Sequence, residues 1–262
     1  MIKIKEINEQ AKLDELFHSK KVLGIDESGV GDYFTPLTAA VAIVEEKDFA
    51  RLKELGVGDS KKISDKRIQE LAKIIADEKL AKYCASFIHP KGYNNLKKNY
   101  NANEIKTFVH LKAFTDSQRV SSKNTPIKSI DFDYVFIDQY STLNAIEGYF
   151  KRFFNDEDPK ANWPKFRKFG KDIILSTKAE DKHLSVAVAS IFARDLLLRK
   201  MIEYNYEWEA EFPLGASKEV QEFARKFIDE RARGDKKKET EMRYNLIKDF
   251  KSDIIDKKEE QE

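Results

Sequence analysis

The chain has 262 residues, 41% hydrophobic and 36% charged, with a formal net charge of +2. Aromatics at 11% and recurrent β-branched runs supply apolar area for a core, so the ionic surface does not mean disorder. No run of about 18 apolar residues is present to span a membrane, and no apolar signal core opens the chain, so secretion is not expected. The single Cys84 permits neither an internal disulfide nor a cysteine zinc cluster, and the expected location is reducing and cytoplasmic.

No repeat and no Pro- or Gly-rich linker divides the sequence. Residues 1–20 read as a short lead-in with one helix around Asn8–Phe17. Lys21–Ile25, Pro36–Val44 and Tyr83–Ile88 have strand length and composition, and their closeness predicts an antiparallel meander. Ser28, Gly29 and Gly31 mark the turn between the first two. Ser64 caps a predicted helix to about Lys79, with Ile68, Leu71, Ile74 and Ile75 at helical spacing. Asn101 and Glu104 stand at capping-box spacing before a helix from Ala102 to about Gln118. Tyr134–Ile137 reads as a strand, Leu143–Phe153 as a helix and Ile173–Thr177 as a fifth strand. A long helix follows at His183–Tyr204, then helices at Ser217–Arg231 and Glu239–Phe250, then a charged tail. Strands first, then strands alternating with helices, predict a mixed sheet flanked by helices in the α/β or α+β range.

Carboxylates stand where these strands end. The apolar run Val22–Ile25 leads straight into Asp26-Glu27, and Tyr134–Ile137 leads into Asp138. Glu180-Asp181 follows the strand at Ile173–Thr177 and precedes the long helix. Each alone is readable as a turn or helix cap. Two such charges 4 Å apart repel by about 4 kcal/mol at an effective dielectric of 20. Convergence of three acid-tipped ends would therefore call for hard divalent cations, Mg²⁺ or Mn²⁺. Two of these about 4 Å apart form the arrangement that cleaves phosphodiesters.

Phosphate-binding features surround the acids. Ser28-Gly29-Val30-Gly31 offers backbone N–H groups, but neither a dinucleotide fingerprint nor a Walker loop is completed. Asp59-Ser60-Lys61-Lys62 leads into the Ser64 helix and suits an anion, or is an ordinary solvated loop. Between Lys91 and Lys128 eight Lys/Arg and two Asp/Glu are interleaved with Tyr93, Asn94, Asn95 and Tyr100. That mixture suits a nucleic-acid backbone or the wet face of helices, as does Trp163–Lys171. His18, His89, His110 and His183 are scattered without metal-ligand spacing. His183 reads as a helix-start surface residue, with proton transfer beside an acidic metal site as the alternative.

Taken in order, GIDESGVGDYFTPLT, GDSKKIS, FIDQY, TKAEDKHLSVAVASIFAR and the later PLGAS resemble a type 2 ribonuclease H, more closely ribonuclease HIII than ribonuclease HII. The resemblance covers roughly residues 21–220 and implies an α/β fold: an RNase H-like mixed five-stranded sheet flanked by helices, with additional C-terminal helices. It implies endonucleolytic cleavage of the RNA strand of RNA/DNA hybrids, leaving 5′-phosphate and 3′-hydroxyl ends. Two divalent ions, Mg²⁺ or Mn²⁺, would be held by Asp26, Glu27, Asp138 and Glu180, with Asp181 a bystander. Gly29, Val30 and Gly31 match the loop that meets the hybrid. Ser60, Lys61 and Lys62 match a phosphate-contacting loop, and Ser190 and Arg194 match positions facing nucleic acid. Thr35 departs from the Gly usual before this Pro, which bears on the local loop shape.

The expected division is a lead-in at 1–20, a catalytic domain at 21–205 and a C-terminal helical extension at 206–262 packed on it. The HIII branch often carries an N-terminal substrate-binding domain resembling the TATA-binding-protein fold. Only about twenty residues precede the first expected strand, so that domain is expected to be absent. Hybrid affinity would then be weaker, or residues 89–128 and the C-terminal helices would compensate. The expected partner is the hybrid duplex, with no membrane and no obligate protein partner, the chain acting as a monomer. The alternatives are junction cleavage at single embedded ribonucleotides, as in ribonuclease HII, and a non-catalytic nucleic-acid-binding protein.

Overall fold

A computed structural model describes residues 3–58, 63–118, 131–155 and 163–249. In chain order the first elements are β1 (Ile4–Glu6), α1 (Gln10–Phe17), β2 (Val22–Ser28), β3 (Leu37–Ile43), α2 (Phe49–Glu54), α3 (Asp65–Asp77), β4 (Lys82–Ile88), α4 (Pro90–Lys97) and α5 (Ala102–Ser117). They are followed by β5 (Tyr134–Asp138), α6 (Leu143–Phe153), β6 (Asp172–Ser176), α7 (Ala179–Lys182), α8 (Leu184–Trp208), α9 (Lys218–Ala232) and α10 (Lys236–Leu246). The sheet order is β1-β6-β5-β2-β3-β4. β2, β3 and β4 form the expected antiparallel meander, with Leu23 opposite Ile43 and Ala40 opposite Ala85. β5 joins β2 in parallel and β6 joins β5, so a mixed sheet results.

The fold class is as expected, but among the described residues the sheet has six strands rather than five. The added β1 lies in the lead-in and pairs in parallel with β6, Ile4 opposite Ile173. Its residues are half-buried or exposed, so it is held by backbone pairing and leaves no hydrophobic alternation to read. α2 and α4 are also additional. α4 opens on Pro90, whose fixed φ suits a first helical turn, and it buries Tyr93, Asn94 and Leu96. Asn94 donates to the carbonyls of Tyr244 and Ile247 and accepts from Asp249 N–H. This part of the Lys91–Lys128 stretch is therefore a joint to the C-terminal helices rather than a free basic strip. Residues 119–130 of that stretch lie outside the described residues.

Helices cover both faces. α5 and α6 bury Ile105, Val109, Ile146 and Phe150 against Leu23, Ile25, Val135 and Ile137. On the other face α3 and α8 pack on Ala40 and Ala42, and α1 packs on Val22 and Phe136. The capping box at Asn101–Glu104 forms, and the Ser64 side chain accepts from Arg67 N–H. α8 crosses β2 at close range: a Cβ on Gly24 would stand 2.4 Å from the Val186 nitrogen, so only glycine fits. α9 and α10 bury Phe227, Ile228 and Met242 against Tyr33, Phe34 and the end of α8.

Candidate active site

The parallel register of β2 and β5 builds the site. Ile25 lies opposite Ile137, so Asp26 and Asp138 follow on neighbouring strands, spaced by about 4.8 Å in a sheet. Asp138 is opposite Ser176 at the end of β6. The chain then turns through Lys178, whose φ of +53° is left-handed. The Ala179 N–H, at the head of α7, donates to Asp138 Oδ1 at 3.1 Å. That bond draws α7, and with it the buried Glu180, up to Asp138. Asp26, Glu27, Asp138 and Glu180 thus line one cleft of about 370 Å³, with Asp65, Ser190 and Arg194 on its walls.

Adjacent strand residues point to opposite faces, and this separates Asp26 from Glu27. Asp26 shares the Gly24 face and meets α8, where the Ser190 side chain hydrogen-bonds it. Burial raises its pKa well above the usual carboxylate range; Glu27 and Glu180 add repulsion, against hydrogen bonds from the Glu27 N–H and Ser190. Glu27 turns to the α5 face. There His110 Nε2 donates to Oε2 at 2.8 Å and Lys106 Nζ to Oε1 at 2.7 Å. Burial alone would raise its pKa, but the hydrogen bonds and charges of His110 and Lys106 hold it at about 2. Lys106 also lies 5.0 Å from the centre of the Tyr140 ring, whose hydroxyl bonds Thr107 at 2.6 Å. Glu27 is therefore an ionised carboxylate fixed from below, while Asp26 is one whose charge the protein alone disfavours.

The other expected site residues divide. Gly29 has φ +87°, and a Cβ there would come 2.4 Å from the Pro36 carbonyl oxygen; around Gly31 nothing lies within 4 Å of one. Val30 is partly buried against the α5-side core. Ser190 and Arg194 both reach the cleft. Arg194, however, is engaged with Asp65 through two bonds of 2.8 and 2.9 Å, so it ties α8 to the head of α3. Ser60, Lys61 and Lys62 lie outside the described residues. Asp181 is exposed, apart from the cleft-lining acids. His183 stands at the start of α8 as expected, but it is half-buried rather than openly exposed and does not line the cleft. Its Nδ1 accepts from Ser185 N–H and its ring packs edge-on against Phe17, Phe49 and Phe136. Sequence reading misses Lys106 and His110 as site residues. Their i, i+4 spacing puts them on one helix face, which is the one signal available.

The donor chemistry of the cleft is that of a hard cation: five carboxylates, of which Asp65 is engaged by Arg194, and no thiolate. A cation would also offset the burial and the repulsion that together raise Asp26. Among the described residues no three His, Cys, Asp or Glu side chains are grouped so as to hold a metal ion as they stand. The side-chain geometry explains this, since Glu27 is turned onto α5 and Asp138 caps α7. The residues fit a divalent ion by type and location, with rotation of those side chains required.

A family model described as Ribonuclease HII matches residues 23–247. Ribonuclease HIII of Bacillus mycoides (strain KBAB4) is 33% identical over 208 residues, 79% of this chain and 60% of that protein. Ribonuclease HIII of Staphylococcus saprophyticus is 32% identical over 213 residues, 81% of this chain and 62% of that protein. The chain thus spans less than two thirds of the length of these relatives. Among solved structures, Bst-RNase HIII in complex with Mn²⁺ aligns at a TM-score of 0.73 and 26% identity, over 93% of this chain and 70% of that one. Aquifex aeolicus RNase H3 aligns at 0.60 and 28% identity, over 91% and 75%. The matched span runs from β2 to the end of α10 and contains Asp26, Glu27, Asp138 and Glu180, and on this footing the chain belongs to the ribonuclease HII family.

Proposed function

We propose that the protein is an endoribonuclease that cleaves the RNA strand of RNA/DNA hybrids and leaves 5′-phosphate and 3′-hydroxyl ends. The observation that carries this reading is the opening of Asp26, Glu27, Asp138 and Glu180 into one cleft beside the Gly29–Gly31 turn. The Mn²⁺ held by Bst-RNase HIII supports a divalent cofactor, Mg²⁺ or Mn²⁺, here held by those four acids. When bound, a pair of such ions supplies an activated water and charge stabilisation at the leaving oxygen, so no protein general base is needed. The chain's own part is placement. Ser190 keeps Asp26 turned to the cleft, Lys106 and His110 keep Glu27 ionised, and Ala179 keeps Asp138 beside Glu180. Discrimination of RNA from DNA falls to the backbone of Gly29, Val30 and Gly31 against the 2′-hydroxyl.

The reading takes residues 21–205 as the catalytic domain and 206–262 as its C-terminal extension, acting as a monomer on the hybrid in the cytoplasm. The single Cys84 is buried, and one cysteine cannot form an internal disulfide. No helix among the described residues is long and apolar enough to cross a membrane. The test is a labelled RNA/DNA hybrid with and without Mg²⁺ or Mn²⁺, and a second duplex with one embedded ribonucleotide. Metal-dependent cleavage of the continuous hybrid is expected, and Asp26→Asn is expected to abolish it with the circular dichroism unchanged. Retention of most activity by that variant would refute the assignment.

A further inference from the structure

We infer that Lys248 is a positioning residue for the Gly29–Thr35 turn, fixing from the C-terminal side the backbone that meets the hybrid. This rests on the function proposed above. Lys248 follows α10 in a sequence of charged residues, yet it is 1% exposed. Its ammonium has three N–H donors and finds three acceptors. Nζ donates to the Gly29 carbonyl at 2.6 Å, to Thr35 Oγ1 at 3.0 Å and to the Thr35 carbonyl. Its own backbone N–H donates to the Tyr33 carbonyl at 2.8 Å. The Tyr33 N–H donates to the Gly215 carbonyl at 3.0 Å, and the Phe34 ring lies 4.8 Å from that of Phe212. The turn is thus gripped from residue 29 to residue 35 by the chain that follows α8.

The grip has a direction. In a trans peptide the C=O and the next N–H point opposite ways, and no cis peptide occurs among the described residues. Holding the Gly29 carbonyl against Lys248 turns the Val30 N–H away from the C-terminal helices. That N–H belongs to the turn whose backbone is taken to read the 2′-hydroxyl. Thr35, the departure from the family pattern, is part of the device. Its hydroxyl accepts from Lys248 and donates to Asp32 at 3.2 Å, and Asp32 is the charge that partly offsets the burial of the ammonium. A lysine that merely fills space would not need three backbone and hydroxyl acceptors on one turn.

Full-length Lys248→Met keeps the length of the side chain and removes its donors. The expected result is a folded protein by circular dichroism with KM for the hybrid raised about tenfold, as for loss of charge-assisted hydrogen bonds, and kcat nearly unchanged. Faster amide exchange across residues 29–35 is expected alongside. A folded variant with unchanged KM would overturn the inference. A purely structural role would lower the melting temperature and the active fraction while leaving KM in place, which also overturns it. If Lys248→Met does not fold, Thr35→Ala decides. It removes one acceptor and is expected to raise KM about threefold; no change would count against Lys248. Should the wild-type protein fail to cleave the hybrid at all, the functional proposal falls. Exchange at residues 29–35 then still tests the positioning, and equal protection in wild type and Lys248→Met would refute it.

Discussion

His183 offers a prediction that rests on its half-buried place at the head of α8. Its Nδ1 accepts from Ser185 N–H at the head of α8, and aromatic rings surround it. Protonation would place a second donor against that N–H and a positive charge at a helix N-terminus, in a half-buried and largely aromatic setting. Burial accordingly pushes the pKa down to about 4, with Asp14 opposing. The unfolded chain, at about 6.5, then binds more protons than the folded one through this window, so stability is complete above pH 6.5 and falls as the pH drops toward 4. Integrating from pH 7.5 to pH 5.0 with those two values gives a loss of about 2 kcal/mol, and about 3.4 kcal/mol in total below both. His183→Asn keeps an oxygen acceptor for the cap and does not titrate. Urea unfolding of both proteins at the two pH values isolates the effect, because all other titrations cancel in the difference. The wild type is expected to lose about 2 kcal/mol more than the variant on acidification. Equal losses would refute a His183 held neutral by its surroundings.

Two further perturbations test the turn and the wall of the cleft. Gly29→Ala forces a side chain into a left-handed φ and to 2.4 Å from the Pro36 oxygen, so a stability loss above about 1 kcal/mol is expected. Gly31→Ala meets open space, so its melting temperature is expected to hold while KM for the hybrid rises; similar melting temperatures for the two variants would contradict this reading. Asp65→Asn releases Arg194 from a partly exposed pair, with a stability cost of about 1 kcal/mol or less. A freed Arg194 is expected to pair with phosphate and steepen the salt dependence of hybrid binding by about one counterion; an unchanged slope would show that Arg194 does not face the duplex.

Asp26, Glu27 and Asp138 are legible in the sequence because an apolar run ending in an acid survives as a pattern even when strand limits are uncertain. Glu180 is less so, since acids at a helix start are ordinary; what singles it out is burial in a one-turn helix tethered to Asp138, a tertiary fact. Lys106 and His110 are hidden for a different reason. α5 is buried nearly all round, so its hydrophobic pattern does not say which face looks at β2. The adjacency of Asp26 and Glu27 suggests mutual repulsion, and this persists even though strand alternation sends them to different helices. β1 is invisible because three residues, of which only Ile4 is apolar, leave no alternation to read. Lys248 is invisible because lysines near a charged tail are almost always solvated.

Gly24 sets a tolerance. It stands two residues before Asp26 on the same side of β2, where α8 rests directly on main-chain atoms. Side chains between a strand and a helix act as padding whose rotamers let the gap breathe. With no padding, the seat of α8 is defined by covalent geometry, and Ser190, five residues on from Ser185, meets Asp26 at a fixed height. Enlarging residue 24 would therefore misalign an acid it never touches.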